Sequence, residues 1–334
     1  MLKVAIVGCG TMGGVHGRSY INVKNAKVVA VCDINENKGS QIAKIHNANN
    51  YNSYDEMLNN EDIDIVDVCV PTYMHREFAE KALKMKKHVF CEKPIALNIE
   101  DAQYMVKLAE KMGVKFSVGH VVRFFPAYTK AIETINSNKI GTPKLIRTTR
   151  TGAYPSWNWN NWYSNYELSG GPILDLVIHD FDWIRHNFGE IERVYVKSFN
   201  GKIEGKDHCL ITLKLKNGPI AHVEGSWAFP QGAIFGTTFE VIGTKGQIEF
   251  DSRRTSSIKK QTNNEMYNMN LDTPLSYWDE PYTLEIQAFV DCIVESRVPI
   301  VTGEDAIEAI RISLAAIKSS KEGKVVTIGG EKNE

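Results

Sequence analysis

The chain has 334 residues, 43% of them hydrophobic and 24% charged, the balance of a globular protein with room for two domains. Its 39 basic and 40 acidic side chains nearly cancel, and no basic block carries interleaved aromatics, so no nucleic-acid partner is expected. The opening "MLKVAIVGCG" holds an apolar run too short for a signal core or a membrane span, which predicts a cytoplasmic protein with no membrane association. Cys9, Cys32, Cys69, Cys91, Cys209 and Cys292 lie far apart without a CxxC pair and read as reduced core thiols. His46, His75, His88, His120, His208 and His222 show no paired-ligand spacing, so no metal is expected.

Over the first 120 or so positions, short β-branched runs alternate with helical patterns. The runs are "KVAIVG", "KVVAVCD", "IDIVDVCV", "HVFCEK" and "KFSVGH". Helices are expected from about Gly13, near Glu36 to Ile45, in "HREFAEKALKM" and in "IEDAQYMVKLAEKMG", with the Asn-rich stretch from Asn47 to Asn60 read as loop and a short helix. Such alternation, with strands apolar throughout, implies a parallel sheet covered by helices on both faces.

After His120 the pattern changes. A helix around Ala127 to Ile135 precedes a strand "PKLIRTTRT", an aromatic loop and the segment "GGPILDLVIHDFD". Strands "RVYVKSF", "HCLITLKL", "IAHVEGSWAF", "TTFEVIG" and "GQIEF" then follow one another through turn signals such as Asn217-Gly218 and Lys245-Gly246. Two helices near Thr283 to Ser296 and Glu304 to Ser320 precede a frayed tail. The expected fold is therefore α/β: an N-terminal Rossmann doubly wound parallel sheet over residues 1–121, and a C-terminal α+β domain with a large, mostly antiparallel open sheet over 122–334.

Gly8, Gly10 and Gly13 form G-x-G-x-x-G between the first strand and the first helix, with Thr11 and Met12 inside the turn. This sets backbone N–H groups and a helix N-terminus where a pyrophosphate can bind. Asp33 ends the second strand about 20 residues further on, where a carboxylate can accept from a ribose 2'-hydroxyl. The same carboxylate repels a 2'-phosphate and its neighbours Ile34 and Asn35 offer no cation, so NAD is expected over NADP. Glycines serving turn geometry alone would not require all three features to coincide. Glu92-Lys93-Pro94 closes another strand at the rim where open α/β sheets bind ligands, and a fixed lysine there can stabilise alkoxide character on a substrate oxygen. Taken alone, these residues favour a surface lysine in a turn.

Gly170-Gly171-Pro172 predicts a helix start. Asp175, His179 and Asp182 then fall at i, i+4 and i+7 on one face of an otherwise apolar helix. A neutral imidazole has a pKa suited to accepting a hydroxyl proton near neutrality, and a carboxylate one turn away can orient it. In isolation the pattern favours a helix-terminal acid and a satisfied core histidine; the glycine cradle and Lys93 tip it toward catalysis. Tyr154 to Tyr166 gathers Trp157, Trp159, Trp162 and Tyr163 with several asparagines. Such aromatic faces beside amides suit sugars or cyclitols, and they equally suit packing between subunits. Arg123 has three open readings: a substrate group, the cofactor, or an internal acid.

Together, "GCGTMG", "VPTYMHREFAEKALKMKKHVFCEKPIA", "RFFPAY" and "GGPILDLVIHDFD" resemble the Gfo/Idh/MocA family over nearly the whole chain, and the Gly-Gly-x form before "HDFD" is most similar to its inositol 2-dehydrogenase branch. The family is named for glucose-fructose oxidoreductase, inositol dehydrogenase and a rhizopine-catabolism protein. The resemblance implies that Lys93, Asp175 and His179 are a catalytic trio with His179 as general base, while Asp182 is structural. It implies that Thr11, Met12, Pro71, Thr72, His75, Glu92 and Lys93 join the glycines and Asp33 at NAD, and that Arg123, Tyr154, Trp157 and Trp162 contact a small polyhydroxylated substrate. It also implies homodimers or homotetramers through the second sheet. Two positions depart from the common family pattern: Pro172 replaces a glycine, and Val177 stands where a small residue is frequent. The expected activity is hydride transfer between a secondary alcohol of a cyclitol or sugar and NAD. The alternatives are a glycoside hydrolase working by transient oxidation and elimination, a sugar–sugar oxidoreductase that retains its cofactor, and a non-catalytic NAD sensor, which the intact trio opposes.

Overall fold

The computed structural model describes residues 1–199, 207–254, 258–262, 266–269 and 279–329. The expected frayed tail beyond Gly329 lies outside them. The chain divides into two compact units, one of Met1–Phe124 with Leu275–Ile307, the other of Phe125–Pro274 with Glu308–Glu334. A single boundary near residue 121 therefore overlooks a return of the chain to the first unit. The return has a physical cause: the helix Asp279–Val294 puts Ile286, Phe289, Val290 and Cys292 into one buried cluster with Val4, Ile6, Val28, Val31 and Phe90.

The first unit holds a parallel sheet of β1 (Leu2–Val7), β2 (Ala26–Cys32), β3 (Asn49–Tyr51), β4 (Ile65–Val68), β5 (His88–Cys91) and β6 (Phe116–Val118). Their order is β3-β2-β1-β4-β5-β6, the doubly wound arrangement whose ligands bind beyond the carboxyl ends of the strands. β1 and β4 are apolar almost throughout because they lie inside the sheet and are covered on both sides. The segment read as loop contains β3, which pairs Asn49, Asn50 and Tyr51 with Ala30, Val31 and Cys32. It is an edge strand with exposed asparagines, so no apolar pattern announces it. Asn35, Ser53 and Asn98 each cap a following helix by accepting a backbone N–H.

The second unit is built on β7 (Pro143–Ala153), β8 (Ile191–Phe199), β9 (His208–Leu215), β10 (Ile220–Phe229), β11 (Gly236–Gly243), β12 (Gly246–Asp251), β13 (Ile258–Thr262), β14 (Met266–Met269) and β15 (Val326–Thr327). They form one sheet in the order β14-β13-β12-β11-β7-β10-β9-β8-β15, antiparallel except for the β7–β10 pair. Tyr128 from the helix Pro126–Asn136 and Trp183 from the helix Ile178–Phe188 pack on Phe239 of β11, which stacks on Phe250 of β12. Alternation along β8 and β9 leaves Tyr195, Phe199 and Leu210 exposed, as is Ile220 of β10. Among the described residues, no helix is long and apolar enough to cross a membrane.

One buried ion pair ties helix to sheet in this unit. Arg150 Nε donates to Asp180 Oδ2 at 2.9 Å, with both side chains out of solvent. Burial works against the arginine charge, but Asp180 outweighs it and raises the guanidinium pKa. Removing one partner strands the other, so Asp180→Asn should cost about 3–5 kcal/mol of stability, whereas pairing it with Arg150→Met should cost less. Urea denaturation midpoints measure this, and a double variant as unstable as the single one would refute the pairing argument.

Candidate active site

The helix Thr11–Ser19 begins at Gly10 just beyond β1. Gly8 has φ 86°, and a Cβ there would lie 2.7 Å from the Cys69 carbonyl. A Cβ on Gly13 would lie 1.9 Å from Gly8 O, so both glycines are fixed by close backbone approach. Gly10 differs: a Cβ there would meet nothing within 4 Å. That open space stands at the positive end of a helix whose first-turn amides have no intrahelical acceptors, which suits a pyrophosphate. Asp33 Oδ2 accepts from Cys9 N at 2.6 Å and Oδ1 from Asn35 N at 2.7 Å. These bonds orient a half-buried carboxylate whose remaining lone pairs can accept from a ribose. Exposed Ile34 and Asn35 supply no cation for a 2'-phosphate. The residues therefore fit a dinucleotide with a free 2'-hydroxyl.

The rim beyond β4 and β5 is braced from within. Pro71 and Thr72 open the helical turn Thr72–Met74 that follows β4, with Thr72 buried. His75 comes next, also buried, with Nδ1 2.8 Å from Pro94 O and Nε2 2.9 Å from Val70 O. Its ring joins the two loops, and burial lowers its pKa. His75 is thus a brace for the expected cofactor-lining segments, with its ring nitrogens turned to backbone. Glu92 behaves alike: Oε2 accepts from Lys93 N at 2.9 Å and Oε1 lies 3.0 Å from His16 Nε2. Lys93 is half-buried and precedes a cis bond to Pro94. Arg123 takes the third of its readings: Nη1 donates to Asp305 Oδ2 and to Ile300 O, 3.1 Å each, and its side chain is only 3% exposed. An internal acid therefore holds one nitrogen of this guanidinium.

His16 is the residue that the motifs missed. It is buried in the glycine helix with Nδ1 2.9 Å from Asp67 Oδ2, in the middle of β4. Cys69 Sγ lies 3.3 Å from the same nitrogen and 3.3 Å from Asp67 Oδ1. The one signal in the sequence was Asp67 itself, a carboxylate inside an interior parallel strand where charge is rare unless paired.

In the second unit, the helix expected over Asp175, His179 and Asp182 is interrupted. Gly171–Asp175 and Ile178–Phe188 are separate helices. Val177 N reaches back to Pro172 O at 2.9 Å and Asp180 N turns to Val177 O at 2.9 Å, while Leu176 and Val177 keep right-handed helical backbone angles, so the helix is irregular between Asp175 and Ile178. Val177 occupies the space left by Gly225 of β10, where a Cβ would stand 2.2 Å from its Cγ2. That close fit accommodates the larger residue at this position. Asp175 and Asp182 are buried and His179 is half-buried, while Asp180, between them, faces Arg150.

The aromatic loop of this unit is partly ordered by its own rings. Trp162 packs on Tyr163 with ring centres 4.2 Å apart, and Tyr163 and Tyr154 both approach Trp227. The Tyr154 hydroxyl donates to Asn161 Oδ1 at 2.6 Å, and Asn160 and Asn161 adopt left-handed φ values. Trp157 remains 63% exposed.

Comparison with known proteins agrees with this arrangement. Residues 2–120 match the Gfo/Idh/MocA oxidoreductase family's NAD-binding Rossmann fold, and residues 132–328 match its C-terminal alpha/beta domain. A myo-inositol 2-dehydrogenase of Thermotoga maritima is 29% identical over 98% of this chain and 98% of its own. A 2,7-anhydro-N-acetylneuraminate hydratase of Escherichia coli is 34% identical over 77% of this chain and 69% of its own. The crystal structure of a putative myo-inositol dehydrogenase from Sinorhizobium meliloti superposes with a TM-score of 0.84 at 26% identity, covering 98% of this chain and all of that one. With cradle, sheet order and both family domains in agreement, the chain belongs to the Gfo/Idh/MocA family and is an NAD-binding oxidoreductase.

Proposed function

We propose that the chain is a dehydrogenase that moves a hydride between a secondary alcohol of a cyclitol or sugar, inositol-like by preference, and NAD. The observation that carries this reading is the fitted cradle, open at Gly10 and carrying an anchored Asp33. Full-length similarity to a myo-inositol 2-dehydrogenase supports the substrate class. Gly8, Gly10, Thr11, Met12 and Gly13 would receive the pyrophosphate, Asp33 the adenosine ribose, and Pro71, Thr72 and Lys93 the nicotinamide side. Bound there, NAD supplies a hydride acceptor.

The chain's own groups handle the proton and the oxygen. His179 takes the substrate hydroxyl proton during oxidation and returns it on reduction. Lys93 hydrogen-bonds the same oxygen and stabilises its developing negative charge. Asp175 orients the imidazole and the substrate. Tyr154, Trp157 and Trp162 offer ring faces to C–H surfaces of the substrate, and exposed Trp157 suits a neighbouring subunit equally well. The exposed face of β8, β9 and β10, with Tyr195, Phe199, Leu210 and Ile220, suits a homodimer or homotetramer. Six free thiols fit a reducing cytoplasm.

A second reading is glycoside cleavage by transient oxidation and elimination, with the hydride returned before release and no net reduced cofactor; similarity to a protein named as a hydratase, an activity without net redox change, favours it. Incubation with NAD and a panel of inositols, aldoses and sugar acids separates the two. The proposed activity gives a rise in reduced-nicotinamide absorbance with at least one polyol, whereas product formation without that rise supports the second reading. His179→Ala is expected to lower kcat by about 10²- to 10⁴-fold while NAD affinity changes less than about twofold. Equal losses in both would count against a base. Asp33→Ala is expected to weaken NAD binding on the order of tenfold and to narrow its advantage over NADP. Fluorescence titration with each nucleotide reads this directly, and an unchanged NAD constant would remove Asp33 from the ribose.

A further inference from the structure

His16 has no part in the reaction described above, yet it occupies the most constrained polar position in the first unit. Its side chain and that of Asp67 are fully buried, and Glu92 is nearly so. Nδ1 lies 2.9 and 3.1 Å from the two Asp67 oxygens, and Nε2 lies 3.0 Å from Glu92 Oε1. A neutral imidazole has one donor and one acceptor nitrogen, so it would turn a lone pair toward one of these carboxylates. Only the imidazolium donates to both.

The chain of contacts continues outward, since the other Glu92 oxygen accepts from Lys93 N. It therefore runs from mid-β4 through the glycine helix to the backbone of the rim lysine. Tyr282 lies with its ring 6.0 Å from that of His16, and a Cβ on Gly119 would stand 3.3 Å from the Glu92 carboxylate carbon, so the acid has little room to move.

We infer that His16 is a positioning residue: its imidazolium locks Glu92, and Glu92 in turn fixes the backbone of Lys93, so that the lysine meets the substrate oxygen from one direction. Burial opposes the charge on His16, but Asp67 outweighs it and raises the pKa well above the ordinary histidine value. Burial likewise opposes the Glu92 carboxylate, and His16 and Lys93 bring its pKa down. Cys69 completes the cluster as a thiol, its pKa raised by burial and by Asp67. His16 Nδ1, an Asp67 oxygen and Cys69 Sγ lie within 4.8 Å of one another, a spacing a metal could also use. Their mutual hydrogen bonds already satisfy them.

The inference rests on the role proposed for Lys93, and a double-mutant cycle on the full chain keeps the two apart. With NAD and the best substrate of the panel, His16→Gln is expected to lower kcat on the order of 10- to 100-fold, with KM and the NAD constant within about twofold of wild type. In a Lys93→Met background the same change is expected to cost nothing further. Glu92→Gln, which keeps the shape and leaves the His16–Asp67 contact in place, is expected to repeat both results. An additive loss in the Lys93→Met background overturns the inference, as does a loss confined to NAD affinity. Failure of both variants to fold cooperatively also overturns it, because the cluster is then only a structural ion pair. So does one equivalent of zinc bound by the wild type and released by Cys69→Ala. If Lys93→Met itself leaves kcat unchanged, the role of Lys93 falls first and takes the inference with it.

Discussion

The carbonyl of Gly8 and the Cα of Gly13 stand so close that a Cβ on Gly13 would lie 1.9 Å from the Gly8 oxygen, and this approach sets how the first helix leaves the sheet. Any other residue at 13 would push the helix off the strand ends. With the helix held down, Gly10 faces open space, and His16, one turn later, reaches Asp67 and Glu92. The anion-binding turn and the buried charge cluster are thus two results of one backbone contact. Burying Asp67 in the interior strand β4, His16 on the glycine helix and Glu92 just beyond β5 is costly, and it is tolerated because each finds a charged or strongly polar partner. What such an arrangement gives in return is a single permitted position for each member, since the low local dielectric penalises every misaligned alternative.

The second unit uses the same device in another place. Arg150 rises from the sheet to meet Asp180, and Asp180 sits on the helix Ile178–Phe188 next to His179. The pair anchors that helix at its N-terminal turn, while Val177 seats the preceding turn against Gly225. For the base role proposed for His179 such support matters, because small displacements of a catalytic group cost large factors in rate. Two of the buried ion pairs neighbour proposed site residues in sequence: Asp180 adjoins His179, and Glu92 adjoins Lys93.

Much of this was legible in the sequence, for physical reasons that differ by element. β1, β2, β4 and β5 were readable because interior parallel strands must be apolar, and the glycines because their spacing reflects a backbone approach no other residue allows. β3 was not, since an edge strand of asparagines gains its order from β2 and not from its own pattern. The return of Leu275–Ile307 to the first unit was hidden because an apolar helix face does not say which core it completes. Arg123 and Asp305, like His16 with Asp67 and Glu92, are paired across long stretches of chain, and periodicity carries no information about such meetings. The irregularity after Asp175 was not legible, since Gly171 and Pro172 mark a helix start and no residue between Asp175 and Ile178 is a proline or glycine. The glycine cradle was therefore readable in the sequence, and the buried pairs His16–Asp67 and Arg123–Asp305 were not.

The discontinuity of the first unit also constrains the order of folding. Its sheet is encoded before residue 125, but Ile286, Phe289 and Val290, which cover part of its core, are encoded only after nearly all of the second sheet. During synthesis the nascent parallel sheet leaves the ribosome with an apolar face still bare, and closing it requires contacts of very long sequence separation. Most of the second unit is therefore made before the first can be sealed, and the second is completed later still by Glu308–Glu334, which includes β15. A chain organised this way matures as a whole, because each unit waits for a segment encoded after most of the other.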